Sequence, residues 1–199
     1  MNTNNSRRYP FTRSFGDATV EISLLTPADG DALGRFVQAQ PAHDLLFVRR
    51  DVSHPKVLQA WLDALAEGRI TSLAARSGGE LVGCTAIVID ALSWSRHVGE
   101  LRVMVGPAWR GRGLGRVLIQ ESFVLALGLG LEKLSVQMTV DQRAAIAVFE
   151  ELGFRAEAVL RDHVKDRDGN AHDLALLSHR VNAVQSRMQI YGVTDALGE

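Results

Sequence analysis

Regular alternation and short runs of apolar residues predict seven β-strands along the chain. The clearest case is the segment 133–140, in which apolar side chains from Leu134 to Val140 occupy every second position. This period of two is typical of a strand with one buried face. The seven predicted strands span residues 20–25, 71–76, 81–90, 97–105, 133–140, 159–164 and 174–177. The last two are expected to form a hairpin around the turn Asp168-Gly169-Asn170.

Four other segments carry apolar residues at helical spacing and predict helices. Three of them follow residues that favour a helix start, namely Thr26-Pro27, Ser53 and Asp141. The fourth is predicted to run from Leu114 to Gly128. The order of elements is one strand, two helices, three strands, then helix, strand, helix and hairpin. Because strands and helices do not alternate regularly, we expect a mixed α/β domain rather than a doubly wound or barrel fold.

Length and composition indicate one globular domain without a membrane span. The chain has 199 residues and a mass of 21.7 kDa. We assign residues 1–17 to a flexible N-terminal arm, 18–181 to the domain, and 182–199 to a C-terminal tail or a helix that contacts a second copy. The start of the chain lacks the hydrophobic segment of a secretory signal, and no apolar run approaches the ~18 residues of a membrane span. We therefore expect a cytoplasmic protein.

Charge and the metal-ligating residue types exclude several classes of function. Lys and Arg together number 22 and Asp and Glu 23, so we expect no nucleic-acid partner bound through bulk charge. Cys84 is the only cysteine and lies in an apolar run, so it is interpreted as a core residue. No two of the six histidines have the i, i+4 spacing of a zinc site, and we expect no metal. The hairpin could bring His163 and His172 together.

The segment Gly106–Gly115 carries the most informative chemistry in the sequence. It leaves a predicted strand, contains glycines at 111, 113 and 115, and leads directly into a helix. Helix starts present backbone N–H groups without intrahelical partners, and glycine lets a ligand approach the backbone closely. Arg110 and Arg112 add positive charge. The pattern predicts a binding site for a phosphate or diphosphate.

Two common phosphate-binding motifs do not fit this segment. A P-loop needs Gly-Lys followed by Ser or Thr, which is absent here. A dinucleotide-binding fingerprint needs a third glycine where this chain has Arg116. A glycine-rich turn that merely connects a strand to a helix is the remaining structural alternative. Three glycines and two arginines within six residues exceed what such a connection requires.

The run Arg110-Gly111-Arg112-Gly113-Leu114-Gly115 resembles the Arg/Gln-x-x-Gly-x-Gly/Ala signature of GNAT-type N-acetyltransferases. The preceding strand end Val103-Met104-Val105 and the downstream segment Ala145–Phe154 are also similar to that superfamily. The resemblance covers roughly residues 18 to 181. It implies the GNAT fold, a central mixed and mostly antiparallel twisted sheet of about seven strands flanked by about four helices.

The resemblance also implies that acetyl-CoA binds in an opening between the fourth and fifth predicted strands. Backbone N–H groups between Gly111 and Gly115 would hold the diphosphate. Main-chain groups of residues 103–105 would pair with the pantetheine arm and polarise the thioester carbonyl. Gln142 stands where relatives often have an Asn that contacts CoA. The complete set of expected cosubstrate-binding residues is Val103, Met104, Val105, Arg110, Gly111, Arg112, Gly113, Leu114, Gly115, Gln142 and Phe149.

The reaction implied by the resemblance is direct attack of a primary amine on the acetyl group. A lysine-like amine has a pKa of ~10.4, so a base must take its proton. Glu100 is the candidate: it lies in the fourth predicted strand, about 10 Å before Val103 along an extended chain, which favours transfer through water. The alternative is a surface residue that pairs with Arg102 or Arg96.

One departure from the family pattern bears on the mechanism. Phe149 stands where many relatives have a Tyr that protonates the leaving thiolate, and phenylalanine has no proton to give. The sequence therefore predicts an N-acetyltransferase whose acceptor is a protein amine, an amino acid or a small amine, with a homodimer as a possible assembly. A non-catalytic acyl-CoA sensor or structural GNAT subunit is the alternative.

Overall fold

The computed structural model describes residues 9–46 and 50–181, which form one mixed sheet and its covering helices. These residues contain nine strands and four helices, so the predicted fold class is confirmed. The elements are β1 Phe11–Phe15, β2 Ala18–Leu24, α1 Gly30–Gln38, α2 Pro55–Ala66, β3 Ile70–Thr71, β4 Leu73–Ser77, β5 Glu80–Val88, β6 Val98–Val105, α3 Leu114–Gly128, β7 Lys133–Thr139, α4 Arg143–Glu151, β8 Arg155–Lys165 and β9 Ala171–Arg180.

The strands are arranged in the order β1-β2-β4-β5-β6-β7-β9-β8, and β3 pairs with β5 beside this path. Every neighbouring pair is antiparallel except β6 and β7, which run parallel. Two of the nine strands are additional to the seven predicted from the sequence. One is the two-residue β3, which is too short to give a pattern of its own, and the other is β1.

The first strand corrects the expected flexible arm over residues 1–17. Residues 11–15 belong to the sheet, where Phe11 lies opposite Ile22 and the Gly16 turn takes a φ of 61°. Phe15 is buried and packs with the inner residues of β2, which fixes the edge strand to the core. Its three central residues are polar and exposed, and this polarity caused the wrong assignment. The predicted tail at residues 182–199 lies outside the described residues.

The helices cover the two faces of the sheet and separate the core into distinct clusters. On one face, α1 and α2 pack on Ala74, Cys84 and Met104. On the other face, α3 and α4 pack on Leu101 and the inner side of β7. Burial raises the pKa of the Cys84 thiol to about 12, which confirms the cysteine as a core residue. Among the described residues, no helix combines the length and the apolar composition that crossing a bilayer requires.

The sheet opens between its two parallel strands. The β6–β7 ladder joins Val98–Glu100 to Lys133–Ser135 and covers only these three residue pairs. Beyond Glu100, β6 keeps its partners on β5 as far as Val105, while β7 keeps its partners on β9 as far as Thr139. The two strands therefore diverge toward their carboxyl ends and leave a wedge-shaped opening.

Gly99 sits at the closed end of this opening, and its lack of a side chain is a packing requirement. A Cβ there would lie 2.7 Å from Leu131 Cδ1 and 2.9 Å from Ile87 Cγ2, both in the core. We predict that Gly99→Ala lowers the free energy of unfolding by about 1–3 kcal/mol through overpacking. Gly128→Ala, where a Cβ meets no atom within 4 Å, is the control and should be neutral or stabilising by up to about 1 kcal/mol. Urea denaturation of both variants measures the free energy of unfolding. A Gly99→Ala variant with the wild-type free energy of unfolding would contradict the prediction.

Candidate active site at the splayed strands

The loop that follows β6 adopts a conformation that its glycines permit. Gly106 N–H donates to Val82 O at 2.9 Å, which holds the start of the loop against the neighbouring strand. Pro107–Trp109 form one 3₁₀ turn. Gly111 and Gly113 then have φ values of 70° and 86°, a region that side chains with a Cβ rarely occupy. Glycine at these two positions is thus required by the backbone path into α3.

The amino-terminal end of α3 presents an accessible set of backbone donors. Gly113 is the N-cap residue and offers no side chain to the first N–H groups of the helix. A Cβ on Gly111 or Gly113 would meet no atom within 4 Å, so both backbones border open space. Leu114 is fully buried and anchors the first turn in the core. Free N–H groups and the positive end of the helix dipole fit the diphosphate of a nucleotide cosubstrate.

The arginines around the loop differ in what they bind. The Arg110 guanidinium forms an ion pair with Asp44 at 2.7 Å and donates to Val105 O at 3.2 Å. It therefore fixes the loop to a neighbouring segment and to β6. Arg112 lies over the Trp109 ring, with its Cζ 5.4 Å from the centroid. Both arginines are exposed, but Arg110 is held by these partners, whereas Arg112 has no ion-pair partner among the described residues.

Glu100 lies at the point where β6 and β7 separate. It is the last residue of the parallel ladder, opposite Ser135. Its carboxylate accepts a hydrogen bond from Arg102 Nε at 2.8 Å, and its side chain is 21% exposed. The pairing with Arg102 that the sequence offered as an alternative is present. This contact fixes the Glu100 carboxylate at the apex of the opening.

Two of the predicted residues lie on the far side of the opening. Gln142 immediately precedes α4 and is half-buried. Phe149, two turns further along α4, is 6% exposed and packs edge-to-face on Phe154, with 4.9 Å between ring centroids. Its ring belongs to the core cluster under α3 and α4. The position at which relatives often have a Tyr is thus filled by an apolar contact.

Sequence reasoning missed a 3₁₀ turn, Ala42–Leu45, that lies across the opening. Asp44 of this turn pairs with Arg110 beside the end of β6. His43 Nε2 lies 2.7 Å from Asp141 Oδ2 and 3.5 Å from Thr139 Oγ1 at the end of β7. The turn falls in an irregular connection, and its partners near the ends of β6 and β7 are more than sixty positions away in the sequence. No local pattern could indicate these contacts.

Asp141 was predicted to cap α4, and the structure assigns its carboxylate to other partners. The helix begins one residue later, and Gln142 is its N-cap. Hydrogen bonding from the Thr139 hydroxyl, reinforced by His43, lowers the pKa of Asp141 below its ordinary value. The carboxylate is therefore an ionised acceptor on which two donors converge.

A second histidine–carboxylate pair comes from the β8–β9 hairpin. His172 Nε2 lies 3.0 Å from Asp166 Oδ2, and the His172 ring meets the His43 ring edge-on at 5.0 Å. Hydrogen bonds from His172 and from Asn170 hold the pKa of Asp166 well below its ordinary value. The sequence left open a contact between His163 and His172 across the hairpin, but the residue opposite His172 in the ladder is Val164.

Comparisons with known proteins agree with this geometry. The model of the Acetyltransferase (GNAT) family matches residues 39–154. The N-alpha-acetyltransferase RimI of Mycobacterium tuberculosis is 31% identical over 155 residues, which cover 78% of this chain and 90% of RimI. The IAA acetyltransferase of Azospirillum brasilense is 37% identical over 94 residues, which cover 47% of this chain and 60% of that protein.

A solved structure shares the fold. The protein yncA of Salmonella typhimurium, determined with its cofactor acetyl-CoA, superposes with a TM-score of 0.68 at 23% identity, over 81% of this chain and 94% of that one. The family match extends over more than half of the chain and includes β6, the glycine loop and α4. The chain belongs to the GNAT family of acetyltransferases.

Proposed function

We propose that this GNAT acetyltransferase moves the acetyl group of acetyl-CoA to the nitrogen of a primary amine. One observation carries the proposal: the accessible N–H groups at the start of α3 adjoin a strand edge on β6 that has no β7 partner beyond Glu100. A diphosphate and an amide-bearing arm are the two parts of CoA that such neighbouring surfaces would bind.

In this proposal each part of the site has a separate task. Backbone N–H groups from Gly111 to Gly115 bind the diphosphate, and Arg112 supplies positive charge beside it. Main-chain N–H and C=O groups of residues 103–105 pair with the pantetheine amides much as an added strand would. When bound, acetyl-CoA supplies an electrophilic thioester carbon and a thiolate leaving group.

Glu100 is the proposed base. An amine arrives largely protonated near neutral pH, and attack requires its lone pair. The bond from Arg102 holds the Glu100 carboxylate at the apex of the opening. Because Glu100 lies about 10 Å along the strand from Val103, a water molecule would carry the proton between the amine and the carboxylate.

The acceptor enters, in this proposal, from the face on which the turn Ala42–Leu45, the end of β7 and the β8–β9 hairpin meet. A peptide amino terminus, a free amino acid and a small amine all present the same nucleophile. A homodimer stays a prediction of the family resemblance. Release of CoA thiol with a panel of an alanyl peptide, L-amino acids and spermidine tests the transfer and ranks the acceptors.

A non-catalytic acyl-CoA sensor is the second candidate, and the buried Phe149 favours it. The buried ring packs against Phe154 and has no proton to donate. Tight binding of acetyl-CoA by calorimetry, together with no thiol release from any member of the panel, would identify a sensor and contradict transfer.

The diphosphate site gives a direct binding prediction. Gly113→Val places a Cβ and two methyl groups at the helix start and strains a backbone with φ of 86°, so we expect acetyl-CoA affinity to fall at least about tenfold. The control is Gly130→Val, which carries the same kind of strain (φ 71°) just beyond the opposite end of α3 and also meets no atom within 4 Å. Calorimetry on both variants separates lost binding from lost stability, and unchanged affinity in Gly113→Val would refute the assignment of the loop.

The base gives a kinetic prediction. Glu100→Gln keeps the shape of the side chain but removes its ability to accept a proton, and we expect kcat to fall by about 10²-fold with little change in acetyl-CoA affinity. Glu132→Gln, an exposed carboxylate just before β7, is the control and should keep wild-type turnover. Initial rates of thiol release measure both. A Glu100→Gln enzyme with wild-type kcat would exclude Glu100 as the base.

A further inference from the structure

The 3₁₀ turn Ala42–Leu45 links the ends of the two strands that diverge. On the β6 side, Asp44 pairs with Arg110, which in turn donates to Val105 O. On the β7 side, His43 contacts Thr139 and Asp141. The two middle residues of the turn are therefore held by charged or polar contacts, one on each side, and the turn lies over the mouth of the opening.

The strand register places His43 beside the part of β6 assigned to the thioester. Glu100 is opposite Ser135 in the parallel ladder. Counting four residues forward on each strand brings Met104 level with Thr139, across the gap. The ring of His43 lies 3.5 Å from the Thr139 hydroxyl, measured from Nε2 to Oγ1. His43 is thus at the level of the proposed thioester, on the opposite side of the opening.

The contacts of His43 determine which ring nitrogen is available. Nε2 faces the Asp141 carboxylate at 2.7 Å, so that nitrogen carries the proton donated to Asp141. Within the described residues, Nδ1 has no hydrogen-bond partner, and the side chain is 36% exposed. The charged or titratable groups around the ring are Asp44 with Arg110, Asp141, and His172 with Asp166.

Acetyl transfer needs a second proton movement that Glu100 cannot supply. A C–N bond forms and the C–S bond breaks. The acceptor ammonium loses one proton before attack and a second one, to solvent, after the C–N bond has formed, and the thiolate sulfur takes one. Glu100 is the proposed acceptor of the first of these protons, and Phe149 has none to give to the sulfur. The imidazolium form of histidine is an acid that can give up a proton near neutral pH.

We propose that His43 is the general acid that delivers a proton from Nδ1 to the departing thiolate, with Asp141 as its positioning residue. This inference rests on the proposed function. After the transfer, His43 returns to the neutral form in which Nε2–H still donates to Asp141, and solvent restores the proton on Nδ1. His172 makes an edge contact with the ring and binds Asp166, so it shapes the pocket without facing Asp141.

A leaving-group experiment distinguishes an acid from a structural residue. His43→Gln should lower kcat with acetyl-CoA by about 10²-fold. The selenium analogue of acetyl-CoA has a leaving group that is a weaker base and needs less protonation, so most of the loss should disappear with it. His172→Gln is the control and should keep the wild-type ratio of the two rates. If His43→Gln lowers kcat by the same factor with both esters, or lowers it with neither, the proposal is wrong.

A measurement on the resting protein provides a readout besides turnover. At a pH at which the ring is neutral, nitrogen-15 spectra should show His43 as the Nε2–H tautomer, and Asp141→Asn should change that tautomer balance. Saturating CoA should shift the ring signals of His43 and leave those of the exposed His163 in place. If CoA binds and the His43 signals stay unchanged, the residue does not lie beside the sulfur and the proposal is wrong.

The two experiments also separate this inference from the proposed function. If the wild-type protein and His43→Gln transfer acetyl groups at the same rate, His43 is not the general acid, and the proposed transfer reaction is unaffected. A wild-type protein that binds CoA, shows the His43 shift and releases no thiol with any acceptor contradicts the transfer reaction, and His43 as an acid with it.

Discussion

The early end of the β6–β7 ladder is the constraint on which the site depends. Three residue pairs hold the parallel strands together, and beyond Glu100 each strand is paired only on its other side. A β-strand without a neighbour leaves N–H and C=O groups that must find other partners. The glycine loop starts from the same strand, so the exposed strand edge and the exposed helix start become adjacent surfaces for one extended ligand.

Core packing is what keeps this opening in place. Leu114 and Leu118 seat α3 on one face of the sheet, while α1 and α2 cover the other. Because these anchors are fully buried, the glycines between β6 and α3 can remain exposed without loosening the helix. The same separation explains how Phe149 packs, since α4 turns that position toward Phe154 and the core.

Polar contacts, rather than apolar packing, close the acceptor side. The turn Ala42–Leu45 is tied to Arg110 on one strand and to Asp141 beside the other, and His172 reaches it from the hairpin. Such partly exposed ion pairs contribute little stability individually. Their importance here is positional, because they hold titratable side chains at the mouth of the opening.

The sequence by itself determined the elements whose signal is local. Period-two alternation located β7, and the glycine spacing located the loop and the start of α3, because the required backbone conformations are properties of those residues alone. The edge strand β1 was missed since its pattern is polar. Only the tertiary structure decided that β6 and β7 separate after Glu100 and that His43 meets Asp141. Both features depend on contacts between segments that are far apart in the sequence. Neither segment has a periodic pattern that indicates which segment it will contact.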